Sequence, residues 1–283
     1  MLDNRLKQNR WEFWRRLFRH RSATIGLVIV LGVSMVAIFA PLLVPHDPLE
    51  QNILSALSPP SNEHPFGTDA MGRDLLSRVI LGSRISVTVG LVVVLIAGTT
   101  GITSGLVAAY FEGWIDNVIS RIIDLLLAFP SFLLALSVLT ILGPSLINAM
   151  LAVAIATIPS FARVARGAAL AEKQRDHILA ARVLGVKDGG IIFRHILPNT
   201  LAPLMVLATV SLATAILTTA SLSFLGLGAQ PPTPEWGAIL SRGREYMRIA
   251  WWLTVFPGLA IAISVLALNL LGDGLRDLLD PRL

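Results

Sequence analysis

The segment "AARVLGVKDGGIIFRHILPN", residues 180–199, decides how this chain is read. It is polar, basic and punctuated by glycines, yet long apolar stretches lie on both sides of it. Good helix formers run from Ala171 to Leu184. Gly185 then supplies the permissive backbone of a helix C-terminal turn. Asp188 follows as the N-cap of a second short helix through Ile191–Leu197, and Pro198, with Pro203 beyond it, breaks that helix before the next apolar run. The predicted product is a helix, a glycine turn and a helix. Ala180 and Ala181 offer a small, close-approach surface, and Ile178, Leu179 and Leu184 offer apolar contact area. That build suits docking into a groove on a partner.

The rest of the chain puts this segment in context. Of 283 residues, 54% are hydrophobic and 14% charged, and the mean hydropathy is +0.71. Soluble domains carry about 25% charged residues, so the composition is that of a polytopic membrane protein. A helix needs about 20 apolar residues to cross the hydrocarbon. Six segments qualify: Ala23–Val44, Ile85–Tyr110, Val118–Leu142, Leu146–Ala165, Leu201–Leu227 and Trp251–Leu271. The fold class is therefore all-α, because a lipid-exposed backbone must satisfy its hydrogen bonds within itself. The 23 Lys and Arg concentrate in the N-terminal tail, in the segment between spans four and five, and at the C-terminus. The positive-inside rule then places both termini and the 180–199 segment in the cytoplasm. The net charge of +5 is explained by the same flanks, which removes nucleic acid as the reason for it. There is no Cys, hence no disulfide and no thiolate metal site. The first apolar run is too long for a signal-peptide core and reads as a retained anchor.

The chain divides into residues 1–60 (tail, first span and start of an external loop), 61–84 (an ordered external segment) and 85–283 (a five-span core containing the loop 166–200). Trp11, Phe13, Trp14 and Phe18 in the basic tail suit either an interfacial helix or interface anchors. In the external segment Asp69 is placed to cap a helix through Leu75 and Val79. Ala97, Gly101, Gly105 and Ala109 put small residues on one face of span two, for packing within the chain or between subunits. Pro130 predicts a kink in span three. Arg121 and Asp124 share a face there and can pair within the membrane, as functional groups or as a snorkelling structural pair. Span five lines up Ser211, Ala215, Thr219 and Ser223, with Thr214 and Thr218 nearby, to line a pathway or to bond a neighbouring helix.

A family resemblance enters at the opening segment. Leu179-Ala180-Ala181, Gly185 and His195-Ile196-Leu197-Pro198 fall on the spacing of the E-A-A-x-x-x-G, nine residues, I-x-L-P loop of bacterial ATP-binding-cassette importer permeases. The segment departs from that pattern at Leu179, in place of glutamate, and at His195, in place of isoleucine. "HPFGTDAMGRDLLSRVILGSR" (64–84), "SFLGLGAQPPTPEWGAIL" (223–240) and "PHDP" after span one resemble the smaller permease subunit of dipeptide, oligopeptide, glutathione or nickel importers. The resemblance implies a type I importer (MetI-like) permease fold in a bacterial inner membrane. It implies a second, homologous permease as partner, one or two ATPase subunits that hold ATP and Mg²⁺, and an extracytoplasmic binding protein. It also implies that Leu179, Ala180, Ala181, Gly185, Leu197 and Pro198 couple the chain to an ATPase.

The residues agree with this on one point: the chain has no G-x-x-x-x-G-K-[ST] phosphate loop, so no cofactor is expected in it. The alternative reading, a self-contained secondary transporter or channel, predicts ionisable groups at the midplane or paired broken helices; Asp124 is the main candidate. A membrane-embedded enzyme would need Gly-x-Ser-x-Gly or His-Glu-x-x-His, and neither occurs. The five histidines lie in tails and loops, none at ligand spacing, so no metal site is expected from the sequence.

Overall fold

The computed structural model describes residue 15 and residues 20–279, so the reading of the aromatic tail lies outside the described residues. Its helices are α1 (Arg21–Leu43), α2 (Leu75–Phe111), α3 (Gly113–Leu127), α4 (Ser131–Leu142), α5 (Leu146–Lys173), α6 (Asp176–Val183), α7 (Asp188–Phe224), α8 (Trp236–Gly243) and α9 (Trp252–Leu279). Among the described residues the only β pairing is an isolated bridge between Thr68 and Asp74. The all-α expectation holds. Among the described residues five helices, α1, α2, α5, α7 and α9, are long and apolar enough to cross a membrane, and α3 with α4 makes a sixth span if that bent pair is counted as one.

The bend is larger than a kink. α3 and α4 meet at 92° across Ala128–Pro130. Pro130 has no N–H and disfavours helical backbone at Phe129, so α3 ends with the Ala128 N–H on Asp124 and Leu125, and Pro130 becomes the N-cap of α4. α2 begins well before the apolar run, at Leu75. Asp74, not Asp69, caps it: the Asp74 carboxylate accepts the Ser77 N–H at 2.7 Å. Asp69 instead closes the preceding turn, accepting the N–H groups of Met71 (2.9 Å) and Arg73 (3.0 Å).

The core is a close pairing of α2 with α5. A Cβ on Gly101 would lie 2.6 Å from the Ile158 carbonyl oxygen, and one on Gly105 would lie 2.3 Å from that of Ala162. Ala97 and Ala109 are fully buried. The small-residue stripe therefore packs within the chain. α9 lies against α1 and α7.

At one end of the bundle, the loop after α1 and the α7–α8–α9 connections knit together. Trp236 Nε1 donates to the Val79 carbonyl (2.9 Å) and Trp252 Nε1 to that of Thr68 (3.2 Å). Phe66 stacks on Phe256 with centroids 3.8 Å apart. Arg78, 1% exposed, donates to the Pro48 carbonyl at 3.0 Å. The opposite end carries α6 and the start of α7.

Candidate coupling loop and pathway residues

The helix expected over Ala171–Leu184 is interrupted. α5 stops at Lys173, Arg175 takes extended backbone, and α6 restarts at Asp176. Glu172, 5% exposed, braces the break: its carboxylate lies 3.0 Å from Arg175 Nε and 3.2 Å from His177 Nε2. The break swings α6 so that Ile178, fully buried, enters a cluster with Leu106, Ala109, Tyr110, Ala169, Ile191, Ile192 and Ile196. Ile178 is thus an internal anchor and not contact area for a partner. Ala181, 6% exposed, also faces inward.

The other face of α6 is open. Leu179 is 51% exposed, Val183 87% and Leu184 82%, and Ala180 is exposed with them. Val183 was not singled out from the sequence, where nothing in its neighbourhood fixes which face of so short a helix turns outward. α6 ends as predicted at Gly185, whose φ is +76°. The Gly185 N–H donates to the Arg182 carbonyl (3.0 Å) and the Val186 N–H to that of Ala181 (3.1 Å), a Schellman closure that needs left-handed backbone at Gly185.

The return path corrects the sequence expectation. Asp188 is the first residue of α7 and not its cap, and Pro198 does not break the helix. Residues Ile191–Ile196 form a π turn, closed by the Leu197 N–H on the Ile192 carbonyl. The wider turn absorbs the proline ring and its missing donor, so α7 continues through Leu197 and Pro198 into span five. Leu197 packs against the internal cluster and Pro198 is exposed.

Polar ties hold the loop to the bundle. Tyr110 Oη donates to Asp188 Oδ1 at 2.5 Å. Lys173 Nζ donates to the Tyr110 carbonyl (2.6 Å) and to Glu112 (2.9 Å). Arg166 grips Asp116 with two parallel bonds of 2.6 and 2.5 Å, joining α5 to α3.

The predicted Arg121–Asp124 pair is not formed. Asp124 Oδ1 lies 3.1 Å from Arg163 Nη2 of α5, and both side chains are more than half exposed. α5 passes close enough to α3 for the longer-range partner to win over the one on the same helix face. In span five, Ser211 (7% exposed), Ala215 (1%) and Thr219 (1%) are buried in the bundle. Thr214 is exposed and Thr218 half-buried. Thr214 satisfies its hydroxyl on the Val210 carbonyl at 3.1 Å. The stripe therefore splits into an internal row and an outward row. His46 and His64, which sequence spacing had set apart, are brought together beside Asp74.

Residues 101–283 match the family described as binding-protein-dependent transport system inner membrane component. The chain belongs to this family. The permease also matches, over residues 8–60, the N-terminal transmembrane domain of oligopeptide transport permease C. It is 48% identical over 272 residues to a dipeptide transport system permease protein of Alkalihalophilus pseudofirmus, covering 96% of this chain and 90% of the relative. It is 48% identical over 273 residues to a glutathione transport system permease protein of Pectobacterium atrosepticum, covering 96% and 91%. Among solved structures it resembles a chain of the inward-facing MetNI methionine ABC transporter, with a TM-score of 0.57 and 21% identity over 72% of this chain and 96% of that one. That likeness establishes the MetI-like fold. The permease is accordingly a multi-pass inner-membrane subunit of a binding-protein-dependent ABC importer.

Proposed function

We propose that the permease forms half of a heterodimeric pore for peptides or related small solutes and takes the force of ATP hydrolysis through α6. In this reading both termini and α6 are cytoplasmic. A homologous permease completes the pore. One or two ATPase subunits hold ATP and Mg²⁺, and an extracytoplasmic binding protein delivers the solute. Leu179, Ala180, Val183, Leu184 and the Gly185 turn enter an ATPase cleft; Ala181 and Leu197 hold the element from behind. Thr214 and Thr218 face the pathway.

The observation that carries the proposal is the apolar outer face of α6, where Val183 and Leu184 are more than four-fifths exposed on a helix anchored by the buried Ile178. A short helix fixed on one side and apolar on the other is built to be received. Peptides are favoured as cargo by the names of the relatives, with glutathione and nickel complexes as the alternatives. The test is a mild-detergent purification of tagged permease expressed with its genomic neighbours. A second permease and an ATPase should co-purify, and Val183→Asp with Leu184→Asp should release the ATPase while the second permease stays. Retention of the ATPase by that variant refutes α6 as the docking element.

A further inference from the structure

At the end of the bundle away from α6, the connection between α1 and α2 folds back to bring His46, His64 and Asp74 together, with one ligand atom from each within 4.8 Å of the others. His64 Nδ1 is 2.9 Å and His46 Nδ1 3.9 Å from the same oxygen, Asp74 Oδ1. The imidazole centroids are 4.9 Å apart. The Asp74 side chain is 1% exposed, and its other oxygen accepts both the Ser77 N–H (2.7 Å) and the Ser77 hydroxyl (2.6 Å). Those bonds turn Oδ1 toward the two rings and fix it there. Ser77 Oγ also accepts the His46 backbone N–H at 3.1 Å, so one hydroxyl positions two members of the group. His46 Nδ1 itself is buried and has no hydrogen-bond partner among the described residues.

A buried ring nitrogen left unpaired beside a buried carboxylate costs free energy and calls for an explanation. A cation shared by the three groups supplies one. Four-coordinate zinc at about 2.0–2.1 Å from each ligand places ligand atoms roughly 3.4 Å apart. The two separations from Asp74, 2.9 and 3.9 Å, straddle that value and the third is within 4.8 Å, so turning the two rings toward each other closes the group. Two imidazoles and one carboxylate suit a divalent first-row transition ion and not magnesium or calcium, which take oxygen ligands. Ser77 holds the ligating carboxylate from behind, as an outer partner does in metal sites.

We propose that His46, His64 and Asp74 form a three-ligand zinc-type site, with its fourth position open to solvent past the partly exposed His46. Bound metal clamps the end of α1, the following loop and the first turn of α2 into one unit. The test uses the assembled transporter, purified without a polyhistidine tag and stripped with chelator. Zinc is titrated against a chromogenic competitor, retained metal is counted by mass spectrometry, and the zinc K-edge spectrum is recorded. One tightly held zinc per permease chain is expected, with two imidazoles in its shell. His46→Gln and His64→Gln should each weaken that site at least tenfold, while His195→Gln, at the other end, should leave it unchanged. Equal zinc retention by the wild type and by the His46→Gln/His64→Gln double variant overturns the proposal. So does a wild-type spectrum without imidazole scattering, whatever the variants do.

Discussion

Gly185 offers the sharpest test of how α6 works, because the fold and the docking reading assign different costs to its replacement. Its φ of +76° is a backbone state that costs an L-residue about 1–2 kcal/mol. A Cβ there would meet nothing within 4 Å among the described residues, so the cost against them is conformational only. Against a total stability of roughly 5–15 kcal/mol, Gly185→Ala leaves the permease folded and inserted. It shifts the turn away from its Schellman closure by about 1–2 kcal/mol, roughly a five- to thirtyfold loss of docking-competent loop. Gly185→Asp adds a charge beside Val183 and Leu184. If that face is seated in a cleft, the uncompensated charge costs about 3–5 kcal/mol more, enough to remove coupling altogether. Gly185→Asn, tolerant of left-handed backbone, should stay nearest the wild type. The assay is ATP-dependent uptake in proteoliposomes containing the complete transporter, with melting of each purified variant measured in parallel. The expected order of uptake is Gly, Asn, Ala, Asp, at nearly constant melting temperature. Wild-type uptake by the aspartate variant refutes the docking of this turn. A collapse of stability in the alanine variant refutes the claim that only the backbone is strained.

Two further substitutions probe the frame around the loop. Gly105→Val drives a side chain into the Ala162 carbonyl and the Arg166 backbone nitrogen, 2.3 and 2.9 Å from the Cβ position, and should cost about 3 kcal/mol as a fall in melting temperature; an unchanged melt would contradict the close α2–α5 packing. Glu235 caps α8 from a site 1% exposed, where burial raises its carboxyl pKa above the ordinary range despite hydrogen bonds from the Gly237 and Ala238 N–H groups and from Ser223 and Ser86. The folded chain therefore keeps a proton that the unfolded chain releases. Stability is fullest below the ordinary value of 4.5 and is lost as pH rises from there through the raised folded value. Glu235→Gln should melt above the wild type at pH 8 and converge with it toward pH 4, and a pH-independent difference would refute this linkage.

Much of the frame was legible from apolar run length alone, since hydrocarbon thickness leaves few options for a run such as Ile85–Tyr110. The Gly185 turn was legible because a helix must end somewhere and glycine ends it with least strain. What the sequence withheld was set by contacts distant in the chain. The first turns of α2 are held by Trp236 reaching the Val79 carbonyl from far along the chain, which favours Asp74 over Asp69 as the start. Asp124 is claimed by Arg163, which local spacing cannot weigh against Arg121. Pro198 read as a helix breaker because an α ladder cannot carry it, and the π turn that does carry it has no signature in residue type. The same limit hid the group at Asp74: His46 and His64 are neighbours only after the loop has folded.

The π turn also sets how motion travels. Because Ile191–Ile196 widens α7 without severing it, Asp188–Phe224 is one rod of 37 residues, about 55 Å long at 1.5 Å per residue. α5 reaches α6 through a two-residue joint at Gln174–Arg175, whereas α7 has no such joint over its length. A push on α6 thus meets a hinge on one side and a lever on the other. Each degree by which that lever tilts about its loop end displaces its far end by about 1 Å, so a few degrees are enough to move the Phe224 end by the width of a side chain.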